Sequence, residues 1–239
     1  MLVNRILVDK VINDINSDNN YLITNHKKKY VFNVNNSNVN ILNIKENADN
    51  ETYEFNISGG KVIFNVVSYN SKDINIVVNL NKINSEIEIY NSIITSIKKE
   101  VHITINHNFK NTISNVYNNG VTKDDGSINF DVVSKVPNKI KGCVVNQDSK
   151  IISLNDSNDN EINPILLIDE YDTSARHAAF IGKFNEDKLF YLMSRGLSKK
   201  KAENLLLNGI LIGTLDIYFE EREKLKKKYE TDWRWDYEC

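Results

Sequence analysis

From Tyr30 to about Ile168 the chain is written in short segments that alternate apolar and polar residues. In INIVVNLN, Ile74, Ile76, Val78 and Leu80 fall on one side, with Asn75 and Asn79 on the other. VHITINHN sets Val101, Ile103 and Ile105 against His102, Thr104 and Asn106, and SINFDVV repeats the pattern with Ile128, Phe130 and Val132. Successive side chains of a strand point to opposite faces, so period-2 alternation marks strands with one buried face. The segments recur roughly every 10–13 residues, a spacing that suits a sandwich or a solenoid with two strands per coil. Turn chemistry separates the two. A sandwich of hairpins calls for many Asn-Gly, Asp-Gly or Gly-Gly turns. This region offers Gly59-Gly60, Asn119-Gly120 and Asp125-Gly126, and the whole chain has 9 glycines and 2 prolines. Rounded corners of polar residues fit that scarcity, so the pattern favours a solenoid, in which each coil buries its apolar face against its neighbours and both ends need covering.

Asparagine fills 38 of the 239 positions. A genome poor in G and C accounts for such a bias, and stacked Asn side chains also form hydrogen-bonded ladders between stacked strands. RILVDKVINDINSDNN near the start reads either as a short helix, with Ile6, Val11 and Ile12 on one side, or as a first strand. Residues 1–25 are assigned to a cap segment, 26–182 to the solenoid and 183–239 to a C-terminal helical region.

Composition narrows the function classes. The formal net charge is -2, from 30 basic and 32 acidic residues, which lacks the basic footprint of a dedicated nucleic-acid binder. Lys27-Lys28-Lys29 and Lys199-Lys200-Lys201 read as solvated faces. No stretch approaches the ~18 consecutive apolar residues of a membrane span, and the opening MLVNRILVDKVINDIN is too polar for an export signal. Two cysteines, Cys143 and Cys239, make neither a disulfide framework nor a metal knuckle. A cytoplasmic chain is expected.

After Gly182 the pattern changes. Asn185 is placed to cap a helix whose first turn carries Glu186 and Asp187, where carboxylates suit the helix dipole. Leu189, Phe190, Leu192 and Met193 form its apolar stripe, with Gly196 as the stop. Ser198 caps a second helix, which Leu197 staples through Ala202 and which is expected to end at Gly209. A third, LDIYFEEREKLKKKYETDW, carries Glu220–Lys224 and Glu223–Lys227 at i, i+4.

HAAFIGKFNEDKLFYLMSRGLSKKKAENLLLNGIL resembles the C-terminal signature of the SufB/SufD family of iron–sulfur cluster assembly proteins. The match runs through Phe190-Tyr191-Leu192, Ser194-Arg195-Gly196 and His177 upstream. HNFKNTISNVYNNGV is similar to the family's H-x-x-P-x-T-x-S strand pair through His107, Thr112, Ser114, Gly120 and Val121, with Lys110 where proline is usual. The resemblance spans about Asn106 to Ile212. It implies a right-handed parallel β-helix followed by C-terminal helices that dock a SufC-like ABC ATPase. It further implies pairing with a second SufB/SufD-type subunit, or with another copy of this chain, and delivery of a nascent cluster to apo iron–sulfur proteins. Such a chain is a scaffold and not an enzyme, in keeping with the absence of a G-x-x-x-x-G-K-[ST] loop. No cofactor is expected to stay on the isolated chain, only transient iron or cluster in the complex. At the position of the cysteine of SufB-type scaffolds this sequence has Asn158, and the family's leading helical domain is mostly missing, so the expectation is a SufD-like or reduced SufB-like member.

His177 is the metal candidate, because a neutral imidazole is a good ligand for iron and a proton shuttle near neutral pH. Cys143, in a Val-rich strand, reads as a small buried hydrophobe with a secondary role as a soft iron ligand. His107 shares a strand side with Ile103 and Ile105 and reads as structural. Phe190, Tyr191, Leu192, Met193, Ser194, Arg195 and Gly196 form the partner-binding segment, its inner stripe packing on the last coil. Asp169, Glu170 and Asp172 of DEYD alternate sides in a strand and do not converge on a metal. The competing reading is an exported polysaccharide-binding or lyase-like solenoid, which usually presents a cleft of aromatic and acidic residues. Here the two tryptophans, Trp233 and Trp235, lie in the tail TDWRWDYEC.

Overall fold

A computed structural model describes residues 5–24, 27–155 and 159–231. Asn158, Cys239 and both tryptophans lie outside the described residues. The described chain is a parallel β-helix with three helices after it. In chain order its strands are β1 (Ile6–Leu7), β2 (Ile12–Ile15), β3 (Asn19–Ile23), β4 (Lys29–Asn35) and β5 (Val39–Glu46). Next come β6 (Glu51–Ser58), β7 (Gly60–Tyr69), β8 (Ile74–Leu80), β9 (Ser85–Thr95) and β10 (Lys98–His107). The last are β11 (Ile113–Thr122), β12 (Ser127–Val136), β13 (Cys143–Ser153), β14 (Glu161–Ile168) and β15 (Thr173–Gly182). Odd-numbered strands form one sheet and even-numbered strands the other, each in strict order and parallel. The stretch before Tyr30 contributes strands, since β1 pairs with β3 and β2 with β4.

Alternation builds the lumen. Ile74, Ile76, Val78, Leu80, Val101, Ile103, Ile105, Ile128, Phe130 and Val132 are all buried between the two sheets. Aromatic rings stack from coil to coil: Tyr30 on Tyr53 at 5.6 Å between centroids, and Phe32 on Phe55 at 5.1 Å. Each such pair adds about 0.5–1.5 kcal/mol beyond its buried area.

Corners fall to asparagine. Asn36, Asn47, Asn70, Asn84 and Asn111 adopt left-handed backbone with φ between 44° and 60°, a conformation that Asn tolerates better than other side chains. This is how a solenoid with so few glycines turns its corners. Where even Asn fails, glycine is required: at Gly60, φ is +89° and an added Cβ would lie 2.2 Å from the Ser37 carbonyl oxygen. Asparagine ladders run along the outside as well. Asn56 donates to Asn33, Asn79 to Asn56 and Asn106 to Asn79, at 2.9–3.0 Å.

The helices α1 (Glu186–Ser194), α2 (Lys199–Leu211) and α3 (Phe219–Thr231) follow β15. Asn185 and Ser198 cap α1 and α2 as expected, and Gly196 takes φ +91° between them. Gly209 does not end α2, which runs on to Leu211. Burial of Leu207, Leu211 and Ile212 outweighs the ~1 kcal/mol that a mid-helix glycine costs. These residues, with Leu215, Leu225 and Tyr229, cover a second apolar row on the outside of the odd-numbered sheet: Leu42, Val67, Ile94, Val121 and Ile152. The Tyr229 and Ser92 hydroxyls lie 3.0 Å apart, and Arg5 pairs with Glu221, tying the first coil to α3. On α3 Glu223 also pairs with Lys226, at i, i+3.

Candidate functional site

The last coil, β14 and β15, ends the solenoid without a further coil on top. Inward-facing side chains that would be buried one coil earlier are therefore open here. Cys143, Val145, Gln147, Ser149 and Ile151 face the lumen from β13 and are buried. Their in-register neighbours on β15 are Thr173, Ala175, His177, Ala179 and Ile181. His177 thus has the inward phase, yet it is exposed, because among the described residues β15 is the last strand of its sheet. Ile165, Leu167, Phe180 and Ile181, 42–51% exposed, make the end apolar as well as open. The Lys150 ammonium sits 5.4 Å from the Phe180 ring centroid.

His107 lies in a different place. It is wholly buried where β10 turns into β11, with Nδ1 2.8 Å from Thr112 Oγ1 and Nε2 2.9 Å from Ser114 Oγ. Thr112 donates to the Phe109 carbonyl at 2.9 Å, so it accepts from Nδ1–H, and Ser114 then donates to Nε2. Burial holds the His107 imidazole down at about 4, so it is neutral at physiological pH. Cys143 closes this network, its thiol 3.4 Å from Thr112 Oγ1 and 1% exposed. The histidine, threonine and serine of the sequence motif are therefore one staple that holds a corner.

His177 and Cys143 are not brought together. Cys143 is level with Thr173, four residues or about 13 Å along the strand from His177. Among the described residues no group of three or more His, Cys, Asp or Glu is placed to hold a metal ion. Any metal at His177 needs ligands from elsewhere. Asp169, Glu170 and Asp172 sit in the corner between β14 and β15 and not in a strand, and Glu170 accepts from the Lys139 and Asp172 backbone N–H groups.

The helical segment differs from expectation. Leu189 and Leu192 are half-buried, but Phe190 is 76%, Tyr191 57% and Met193 44% exposed, and α1 buries no residue fully. The stripe splits because α1 packs mainly on α2, which leaves half of it exposed. The Arg195 guanidinium lies 5.3 Å from the Tyr191 ring centroid, and Ser194 donates to the Tyr191 carbonyl. Leu189, with Leu154 and Phe184, also lines a groove of about 460 Å³ beside Lys183, Lys199 and Lys200.

Polar lumen residues escaped the sequence reading. Gln147, Ser134, Ser149 and Asn118 are buried, with Gln147 donating to Ser134 and Asn118 to Ser149. Their signal was present: each is polar in the apolar phase of its strand. A second buried group lies at another corner. Lys99 donates to the Ser71 and Lys72 carbonyls at 2.8 and 2.6 Å, Lys45 pairs with Glu51 at 3.3 Å, and Tyr53 donates to Glu51.

These features define a parallel β-helix with one uncovered end and an exposed helical hairpin beside it. The chain belongs to the SUF system FeS cluster assembly SufBD core domain family, whose model matches residues 8–210. It is 39% identical over 89 residues to the iron-sulfur cluster assembly protein SufD of Bacillus subtilis, covering 37% of this chain and 20% of that one. A SufBD family protein of Pyrococcus horikoshii is 46% identical over 67 residues, 28% of this chain and 15% of its own. One from Galdieria sulphuraria is 41% identical over 63 residues, 26% and 28% of the two chains. The matches thus span less than a third of each relative's length. Among the described residues no helix is long and apolar enough to cross a membrane. The family ties the chain to SUF iron–sulfur cluster assembly and not to polysaccharides.

Proposed function

We propose that the chain is a non-catalytic, cytoplasmic scaffold subunit of a SUF-type assembly complex. Its open coil end pairs with a second SufB/SufD-type subunit or another copy of itself, and the α1–α2 hairpin docks a SufC-like ATPase. Iron or a nascent cluster is the cargo, held transiently at the paired ends and passed to apo-proteins. His177 contributes one ligand, and the paired subunit supplies what this chain lacks. Cys143, buried behind Thr112, serves the corner and reaches the cargo only if that corner opens.

One observation carries the reading: large apolar side chains are left exposed both on β15, the strand that carries the exposed His177, at Phe180 and Ile181, and on α1, at Phe190, Tyr191 and Met193. Exposed apolar surface grouped in this way marks sites of protein association. Co-expression with a SufC-like ATPase tests the dock. Phe190→Asp is expected to abolish co-elution while the chain stays folded, and full co-elution of that variant would remove α1 from the dock. His177→Ala is expected to leave folding intact and lower cluster yield in cells.

A further inference from the structure

Resting on the reading of His177 as a cargo ligand, we propose that Gln147 is its positioning residue. The Gln147 Oε1 accepts a hydrogen bond from one imidazole nitrogen of His177 and leaves the other facing the open end.

The argument begins with the amide. Gln147 is 2% exposed, and its Nε2 lies 2.9 Å from Ser134 Oγ and 3.3 Å from the Ile165 carbonyl oxygen. A carbonyl only accepts, so the nitrogen must be the end that faces Ile165, and the amide cannot be turned over. The Oε1 is thereby fixed on the other side, where it is buried without a donor. A buried acceptor left unmet costs about 1–3 kcal/mol, so a donor within reach will be taken.

Register says which donor that is. In-register residues of adjacent parallel strands lie on one face about 4.8 Å apart. The two row-mates of Gln147 are Val116 on β11 and His177 on β15. Valine has no side-chain donor, and Ala175 and Ala179 flank His177 along β15 with none either. Asn118 gives an amide hydrogen to Ser149 at 2.9 Å, and neither its second hydrogen nor the Ser149 hydroxyl reaches Oε1. The His177 ring does not reach Oε1 in this structure, but at the exposed end of the row a side-chain rotation brings it there. A ligating histidine whose second nitrogen is held in this way has a fixed tautomer and ring direction, which raises its value as a ligand.

The test uses the full chain with its histidines labelled with ¹⁵N and no metal present. A ring N–H proton of His177, assigned by its loss in His177→Ala, is expected to be visible and slow to exchange. In Gln147→Met, which keeps the side-chain volume, that exchange is expected to be about five- to tenfold faster, the factor carried by one ordinary hydrogen bond. In Gln147→Glu the protonated acid can donate to Ile165 and still accept from the ring, so protection is expected to return. Equal exchange in wild type and Gln147→Met, with both folded by circular dichroism, overturns the proposal. Should Gln147→Met unfold, Gln147→Glu decides alone: loss of the ring N–H signal in a folded chain has the same consequence. Unchanged cluster yield in His177→Ala cells would instead overturn the ligand reading of His177, whatever the exchange experiment shows.

Discussion

Acid should loosen this protein through His107, and the size of the effect follows from its surroundings. An unfolded histidine titrates near 6.5, whereas burial holds His107 at about 4 in the folded chain. Between those two values the unfolded state binds more protons, so stability rises with pH across the window. The contribution is complete above about 6.5 and is lost as pH falls to about 4. Two and a half pH units at about 1.4 kcal/mol each give roughly 3 kcal/mol. His107→Gln removes the titration and leaves a polar group for Thr112 and Ser114. At pH 7 it is expected to cost about 1–3 kcal/mol, because the imidazole fits both hydroxyls at 2.8 and 2.9 Å and an amide does not. Towards pH 4 the wild type is expected to lose its advantage and the two curves to converge. Urea unfolding at four pH values from 7 to 4 measures the gap, with carboxylate titrations common to both proteins cancelling. A constant gap across the range, or a His107 NMR titration midpoint near 6.5, would refute the reasoning.

Other consequences are separate. Lys99 is buried against two carbonyls, with burial and the nearby Lys45 pulling its ammonium down to about 7, while Asp73 and Glu51 oppose the shift. A base with a lowered folded value makes stability rise from about pH 7 towards 10.5, and Lys99→Met is expected to flatten that rise in unfolding curves. Gly60→Ala places a methyl 2.2 Å from the Ser37 carbonyl at φ +89°, so a loss of at least about 3 kcal/mol is expected in thermal unfolding. Leu211→Ala is expected to cost about 2–4 kcal/mol and, by hydrogen exchange, to free α2 from the sheet before the strands open.

The alternating residues of β8, β10 and β12 revealed the lumen because period 2 is a direct image of a strand with one wet face. The odd-numbered strands were harder to read. Val66-Val67, Ile93-Ile94 and Ile151-Ile152 break alternation, because the second residue of each pair meets another strand's neighbour or the returning helices on the outer face. Recurring doublets in an alternating chain are thus a signal for an element folded back on a solenoid. Tyr229 and Leu211 reach that row across a long sequence separation, which no local pattern encodes. His177 was legible only through resemblance. Its exposure depends on β15 being the last strand, and its inward phase depends on register with β13. The segment assigned to partner binding falls on α1, and its half-bare state reflects what surrounds that helix, which periodicity does not record.

The central claim is that this chain holds iron–sulfur cargo together with its partners. Anaerobic purification of the chain co-expressed with a SufC-like ATPase and a second SufB/SufD-type subunit, followed by visible absorption and iron and sulfide analysis, tests it most directly. The account predicts a stable complex carrying iron and sulfide together, with both markedly reduced by His177→Ala. A stable complex that never carries iron or sulfide, with or without His177, would contradict it.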